Sequence, residues 1–394
     1  MNYIDEKYRS TLAEALGLTS AQISLFWKGR VGFYGLLKAL GVGPGDEVII
    51  PAFTCVVVPN AILYLGAVPI YADVESETYN MAVDSVKRHI SSKTKVIVAQ
   101  NTFGLSADLE KLATLANGAG IRLVEDCTHG FGGFYQERPN GTIADAAFFS
   151  TQWNKPFSSG LGGIVACRDQ ALALSMRDWE KQLPAPAFLK RLSLGVQILA
   201  RKYLLTPGLY WTLLKIYRYL SQKGWVTGSS SGAELDSAQM PADYLTGMGA
   251  VQKRTGLKAL ENWPENYAHR LKIAAIYSDC LKKLGYPAIS VPEYASHTFI
   301  KYPVLVRDRD YIFRKAEEAK IPLGDWMLSP IHPIQSNFEE WCYPYGENPT
   351  AEFLSAHVIN LQTDLGISVS LARKCCDFLT REQEQLIRTN AMDY

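Results

Sequence analysis

Three short clusters hold residues whose types and spacing suit chemistry. Glu125-Asp126-Cys127-Thr128-His129-Gly130 puts carboxylates at the end of an apolar run. Phe148-Phe149-Ser150-Thr151-Gln152-Trp153-Asn154-Lys155 offers a hydroxyl and an amine ahead of a glycine-rich stretch, and Trp27-Lys28-Gly29-Arg30-Val31-Gly32 opens a helical pattern that runs to Leu40. Open parallel sheets place their ligand sites beyond strand ends. Taken singly, each cluster has a plain structural reading: a strand-end acid caps a turn, a lone lysine is solvated, and glycines make turns. Taken together they supply a carboxylate, an amine and a helix N-terminus that can cradle an anion.

The elements that must position these groups are legible as apolar runs alternating with amphipathic patterns. The runs are VIIPAF (48–53), AVPIYADV (67–74), KVIVAQ (95–100), RLVEDC (122–127), AAFFST (146–151) and GGIVAC (162–167). Runs of this length, apolar on both faces and separated by helices, predict a mostly parallel sheet covered on both sides. From about Pro241 a long helical pattern runs to Leu284, followed by a strand-like TFIKYPVLV (298–306), a helix near 309–319, the apolar VINL (358–361) and a last helix from Leu371 to Arg388. This succession predicts a smaller C-terminal α/β domain over 241–394 packed on a large domain over 1–240.

Composition narrows the function classes. The chain has 394 residues, 47% of them hydrophobic, with 40 basic and 39 acidic side chains and a formal charge of +1. Intrinsic disorder and a disulfide-stapled miniprotein are excluded, and near-neutrality argues against a nucleic-acid binder. The seven cysteines include no CxxC pair, so neither a metal knuckle nor a disulfide framework is expected and a reducing cytoplasm is. No secretory signal or stretch of 18 apolar residues is visible. The charge is unevenly spread: residues 181–233 hold eight Lys or Arg and no Asp or Glu, which leaves 32 basic against 39 acidic groups elsewhere. That segment is also greasy, and TGSSSGAE (227–234) at its end reads as a mobile loop.

An amine, a carboxylate and an anion cradle are what pyridoxal 5'-phosphate requires of a protein. The order of the motifs goes further. LGVGPGDEVIIPAFTCVVVPNAILYLGAVPIYADV (40–74), VEDCTHGFGGFY (124–135) and FFSTQWNKPFSSGLGGIV (148–165) resemble the DegT/DnrJ/StrS family of sugar aminotransferases, of the aspartate aminotransferase fold type I. The resemblance runs from about residue 20 to 170 and more weakly from 240 onward. It implies a homodimer that binds pyridoxal phosphate and moves an amino group, from glutamate as donor, onto a keto-sugar carried by a nucleotide. It further implies that Lys155 is the Schiff-base lysine and that Asp126 pairs with the pyridine nitrogen. Ser150 and the backbone at Gly29, Arg30 and Val31 would take the phosphate, His129 would face the ring's phenolic oxygen, and Cys55 would flank the ring.

Several positions depart from the family pattern. Gly29-Arg30-Val31 replaces Gly-Thr-Ala, so Arg30 is either a bidentate phosphate partner or a surface residue. His129 replaces a Gln, Cys55 an aromatic and Leu161 a Glu. Ser237-Ala238-Gln239 stands where Asn-Tyr-Arg reaches the partner subunit's phosphate. Trp326 and His332 are candidates for the substrate pocket, Glu125 reads as a structural acid, and Cys375-Cys376 as core. GVGPGD (41–46) precedes a strand and so is no dinucleotide loop. Two other reactions stay open beside the nucleotide-sugar aminotransferase: a pyridoxamine-phosphate-dependent sugar dehydratase, whose relatives carry histidine at the lysine position, and an aminotransferase acting on a lipid-linked sugar. The basic stretch 185–222 either touches an anionic membrane surface or buries its apolar stripe on the protein itself.

Overall fold

The computed structural model describes residues 3–204, 232–287 and 289–387. The six expected runs form strands Glu47–Pro51, Val68–Ala72, Thr94–Gln100, Arg122–Asp126, Ala146–Ser150 and Gly163–Cys167, and a seventh, Ile23–Phe26, joins them. From one edge to the other the sheet begins with Ile23–Phe26, then Gly163–Cys167, Ala146–Ser150, Arg122–Asp126, Thr94–Gln100, Glu47–Pro51 and Val68–Ala72. Only Gly163–Cys167 runs against the rest. The apolar character on both faces has its reason here: Val48, Ile49, Ile50, Val96, Ile97, Val98 and Val124 are all fully buried beneath helices.

Register brings the three polar clusters to one end of this sheet. Asp126 lies beside Phe148, two residues before Ser150. Ser150 faces Gly163, which in turn faces Phe26, just ahead of the helix Gly29–Ala39. That helix is held over the sheet by its apolar face, with Phe33 stacked on Phe148 at 4.4 Å between ring centroids. Gly163 is small for a reason: a Cβ there would lie 2.3 Å from the Lys28 carbonyl oxygen and 2.5 Å from the Gly29 nitrogen.

The second half folds around an antiparallel sheet in which Lys301–Leu305 pairs with Val358–Gln362, and Val358–Gln362 with Leu323–Gly324. Helices Trp263–Lys283 and Val369–Arg381 bury Tyr277, Phe378 and Leu379 against Tyr302, Ile359 and Leu361. Here the structure corrects three boundaries. The long helical pattern after Pro241 is two helices, Ala250–Glu261 and Trp263–Lys283, because Pro264 cannot continue the first and instead begins the second. The last helix stops at Arg381, and Leu386 instead bridges to Val306. At the end of the supposed loop 227–234, Gly232–Asp236 is a short helix with Glu234 buried, while 227–231 lie outside the described residues.

Replacing Gly163 with alanine must push the start of the Gly29–Ala39 helix off the strand edge, because the obstructing atoms are backbone. We expect a loss of about 1–3 kcal/mol in urea unfolding. Gly43→Ala, where nothing lies within 4 Å, should stay within about 0.5 kcal/mol of the parent.

Candidate active site

Lys155 sits in the loop leaving the strand Ala146–Ser150, and the loop is folded back by its own hydrogen bonds. The Lys155 N–H donates to the Gln152 carbonyl at 3.0 Å, and the Ser159 N–H to the Thr151 carbonyl at 2.8 Å. The Thr151 and Ser159 hydroxyls meet at 2.6 Å. Gly160, at φ +84°, then turns the chain toward the returning strand. The Lys155 ammonium lies 4.8 Å from the centroid of the Trp326 ring. Desolvation pushes its pKa down to about 8; Cys55 and Asp126 oppose the shift and the Arg30 charge adds to it.

Asp126 ends the Arg122–Asp126 strand, buried, with Oδ1 accepting from the Thr128 N–H at 2.9 Å. Burial raises its pKa, resisted by the Thr128 hydrogen bonds and the Lys155 charge. His129 is buried beside it and stacks on the Trp326 indole at 4.6 Å and 17°. Burial holds this imidazole neutral, well below its ordinary pKa, and the charges of Lys155, Lys301 and His332 push the same way. Among the described residues its Nδ1 has no hydrogen-bond partner. Glu125 behaves as a structural acid: its Oε1 accepts from Asn101 at 2.9 Å, Cys127 at 3.0 Å and the Gly141 N–H at 2.8 Å.

At the helix N-terminus, Gly29 packs so closely on Ser150 that a Cβ would lie 3.2 Å from the serine Cβ and 3.0 Å from the Phe149 carbonyl. The Val31 N–H is turned back onto the Lys28 carbonyl at 3.1 Å. Arg30 is not a surface residue. It is buried and forms an ion pair with Glu234, which is itself 2% exposed. Burial works against the guanidinium charge, but Glu234 more than offsets it and holds the pKa above its ordinary value. The Tyr244 hydroxyl donates to the Arg30 carbonyl at 2.9 Å, and Asn60 donates to the Glu234 carbonyl at 2.9 Å. Lys28, desolvated beside Arg30, is pushed down to about 7 even though Glu234 favours its charge.

The structure thus brings Lys155, Asp126, His129 and Trp326 into one cluster, and Gly29, Arg30, Val31 and Ser150 to the adjoining strand edge. Cys55 and His332 sit side by side on short parallel segments, Thr54–Cys55 and Ile331–His332. Sequence reading missed Lys301. It is buried on a strand of the small sheet, bonded to Gln362 opposite, and 5.2 Å from the Trp326 ring centroid on which Lys155 also lies. Burial lowers its pKa to about 8 against the pull of Asp364. The available signal was a lysine inside the apolar run TFIKYPVLV. Among the described residues no group of three His, Cys, Asp or Glu is placed to hold a metal ion, and no helix is long and apolar enough to cross a membrane.

This architecture is that of solved aminotransferases. The aminotransferase TlmJ from Streptoalloteichus hindustanus superposes with a TM-score of 0.75 over 97% of this chain and 91% of its own, at 21% identity. The pyridoxal-phosphate form of the putative sugar aminotransferase Spr1654 from Streptococcus pneumoniae superposes with a TM-score of 0.72 over 98% and 92%, at 20% identity. The chain belongs to the DegT/DnrJ/EryC1/StrS aminotransferase family, whose family model matches residues 28–191 and 213–379. Among curated relatives, the GDP-perosamine synthase of Escherichia coli O157:H7 is 36% identical over 171 residues, 43% of this chain and 46% of the relative. A UDP-N-acetyl-3-dehydro-alpha-D-glucosamine 3-aminotransferase of Acidithiobacillus ferrooxidans is 36% identical over 142 residues, 36% of this chain and 38% of the relative. The chain therefore spans less than half the length of the curated relatives it matches.

The buried Arg30–Glu234 pair makes a stability prediction. Glu234→Gln leaves a guanidinium in the interior without its counter-charge, and we expect a loss of about 3–5 kcal/mol in denaturant unfolding. Pairing it with Arg30→Met, which removes both charges, should recover most of that loss.

Proposed function

We propose that the protein is a pyridoxal-phosphate-dependent aminotransferase that transfers an amino group, with glutamate as donor, to a keto-sugar carried by a nucleotide. The observation that carries this reading is the depressed amine of Lys155 held beside a buried carboxylate and a neutral imidazole. Three features support the fit of the cofactor to these residues. His129 has a buried Nδ1 without a partner, Gly29 and Ser150 approach too closely to admit a side chain between them, and the donor set of amine, carboxylate, hydroxyl and helix N-terminus matches an aldehyde, a pyridine nitrogen and a phosphate.

When bound, pyridoxal phosphate supplies an electron sink for the bond that breaks at the amino-bearing carbon. The chain's own residues do the rest. Lys155 would hold the aldehyde and, once released, would move a proton to and from the substrate carbon, for which a pKa near 8 is suited at neutral pH. Asp126 would keep the ring nitrogen protonated through a charge-assisted hydrogen bond. His129, neutral, would face the ring's phenolic oxygen. Ser150 and the amides at Gly29, Arg30 and Val31 would orient the phosphate, with the Val31 amide first releasing the Lys28 carbonyl; the Arg30 guanidinium, taken by Glu234, would not serve as the bidentate partner. Cys55 would flank the ring, and Trp326 and His332 would shape the substrate side.

The dehydratase reading is disfavoured by the lysine at position 155. The same proposal takes 1–240 and 241–394 as large and small domains, the assembly as a cytoplasmic homodimer, and Ser237-Ala238-Gln239 as a weaker substitute for the usual contact to the partner's phosphate.

Two measurements test it. Borohydride treatment of the cofactor-loaded protein should fix the label on a peptide containing Lys155, and Lys155→Ala should lose the label; an undiminished adduct in the variant sinks the assignment. The rate at which cofactor-free protein captures pyridoxal phosphate should rise with pH as the amine deprotonates, with a midpoint near 8 rather than near the ~10.4 of a free lysine.

A further inference from the structure

Most of the described part of the acid-free stretch is the helix Phe188–Leu204, which has two apolar faces. The inner one is built into the candidate site. Leu194 is 1% exposed and clusters with Trp27 and Leu161, joined by Trp153 and Ile198. A Cβ on Gly160 would meet Leu194 at 3.0 Å and Ile198 at 3.1 Å. Arg201 donates to the Asn154 side chain at 2.8 Å, one residue from Lys155, and its guanidinium lies 5.4 Å from the Trp153 ring centroid. This face answers the question of where an apolar stripe goes, but only for half of the helix.

The outer face stays in water. Phe188 is 66% exposed, Leu189 75%, Leu192 54%, Val196 58% and Leu199 58%. At 100° per residue these five positions fall within an arc of about 100°, a continuous stripe on the side away from Leu194 and Ile198. An apolar stripe of this kind on a surface helix marks a contact surface. Its chemistry is given by the surrounding charge. Of the two bases in its first turn, Lys190 is ion-paired with Asp243, whereas Arg191 lies 5.8 Å from the Phe188 ring centroid at the edge of the stripe, and the segment 181–233 carries eight bases and no acid of its own. An interface with a second protein chain commonly alternates charge at its rim, whereas an apolar stripe on a segment that contributes bases and no acids suits a surface that is negative and apolar at once.

We propose that the outer face of Phe188–Leu204 docks on an anionic lipid bilayer, with Phe188, Leu189, Leu192, Val196 and Leu199 entering the headgroup–acyl boundary and Arg191 meeting lipid phosphates. The inner face of the same helix touches the Lys155 loop, so docking sets that loop one helix diameter, about 10 Å, from the membrane surface. The docking itself stands independently of the reaction proposed above, since it concerns a surface and not the cofactor.

The test uses the full-length protein and flotation with vesicles of phosphatidylcholine alone or with about one third phosphatidylglycerol. We expect flotation with the anionic vesicles only, weakened by high salt, and reduced about tenfold or more by Leu192→Gln combined with Val196→Gln. Arg191→Gln should weaken binding more modestly, and all variants should keep the parent's thermal midpoint. Absence of flotation by the parent protein, or equal flotation by parent and double variant, overturns the proposal. So does a double variant that floats like the parent while its mass by light scattering drops, because the stripe then belongs to a second copy of the chain. Loss of pyridoxal phosphate binding with intact flotation would count against the reaction and leave the docking surface standing.

Discussion

Positive charge held out of water is the constraint on which this molecule turns. Arg30 and Lys301 are buried, Lys28 and Lys155 partly so, and all four cluster around one end of the large sheet or the strand facing it. An isolated interior cation is untenable, so each must find a carboxylate or give up its proton. Arg30 cannot deprotonate and takes Glu234. Lys28, Lys155 and Lys301 lean the other way, toward the neutral amine, even with Glu234, Asp126 and Asp364 nearby. An amine that holds its proton less firmly is a better nucleophile, so the desolvation that costs stability is also what would make Lys155 reactive in the proposed chemistry.

The sheet supplies the geometry for this cluster without any special device. Six strands run one way, their carboxyl ends deliver Asp126 and Ser150 to a common edge, and the single reversed strand brings Gly163 across to let the helix Gly29–Ala39 start close by. Membership of the DegT/DnrJ/EryC1/StrS family fits this economy. A reactive group at a strand end inherits its position from backbone register, which side-chain changes elsewhere leave alone.

Much of this was written in local pattern. Six of the seven large-sheet strands were legible because their residues are apolar on both faces, and Lys155, Asp126 and Ser150 because short motifs bracket them. Ile23–Phe26 was not, since four residues of ISLF between polar neighbours carry too little periodicity to separate a strand from a turn. Glu234 was read as part of a loop because its neighbours are Ser, Gly and Ala, and nothing local reveals that its partner is Arg30. Lys301 is a single lysine in the strand-like TFIKYPVLV, and nothing in that run sets it apart. Its significance depends on Trp326 and Gln362, brought near only by tertiary folding. Such long-range charge pairing leaves no trace in a window of ten or twenty residues.

The stretch between Pro184 and Glu234 is tied down at both of its described ends. Arg201 reaches Asn154 near its first half, and Glu234 closes it onto Arg30, with Asn60 fixing the backbone at the same point. A segment clamped in this way has the design of a cassette: a change of length or character between the clamps would leave the surroundings of Lys155 where Arg201 and Glu234 fix them, so that surface properties could be exchanged without rebuilding the site.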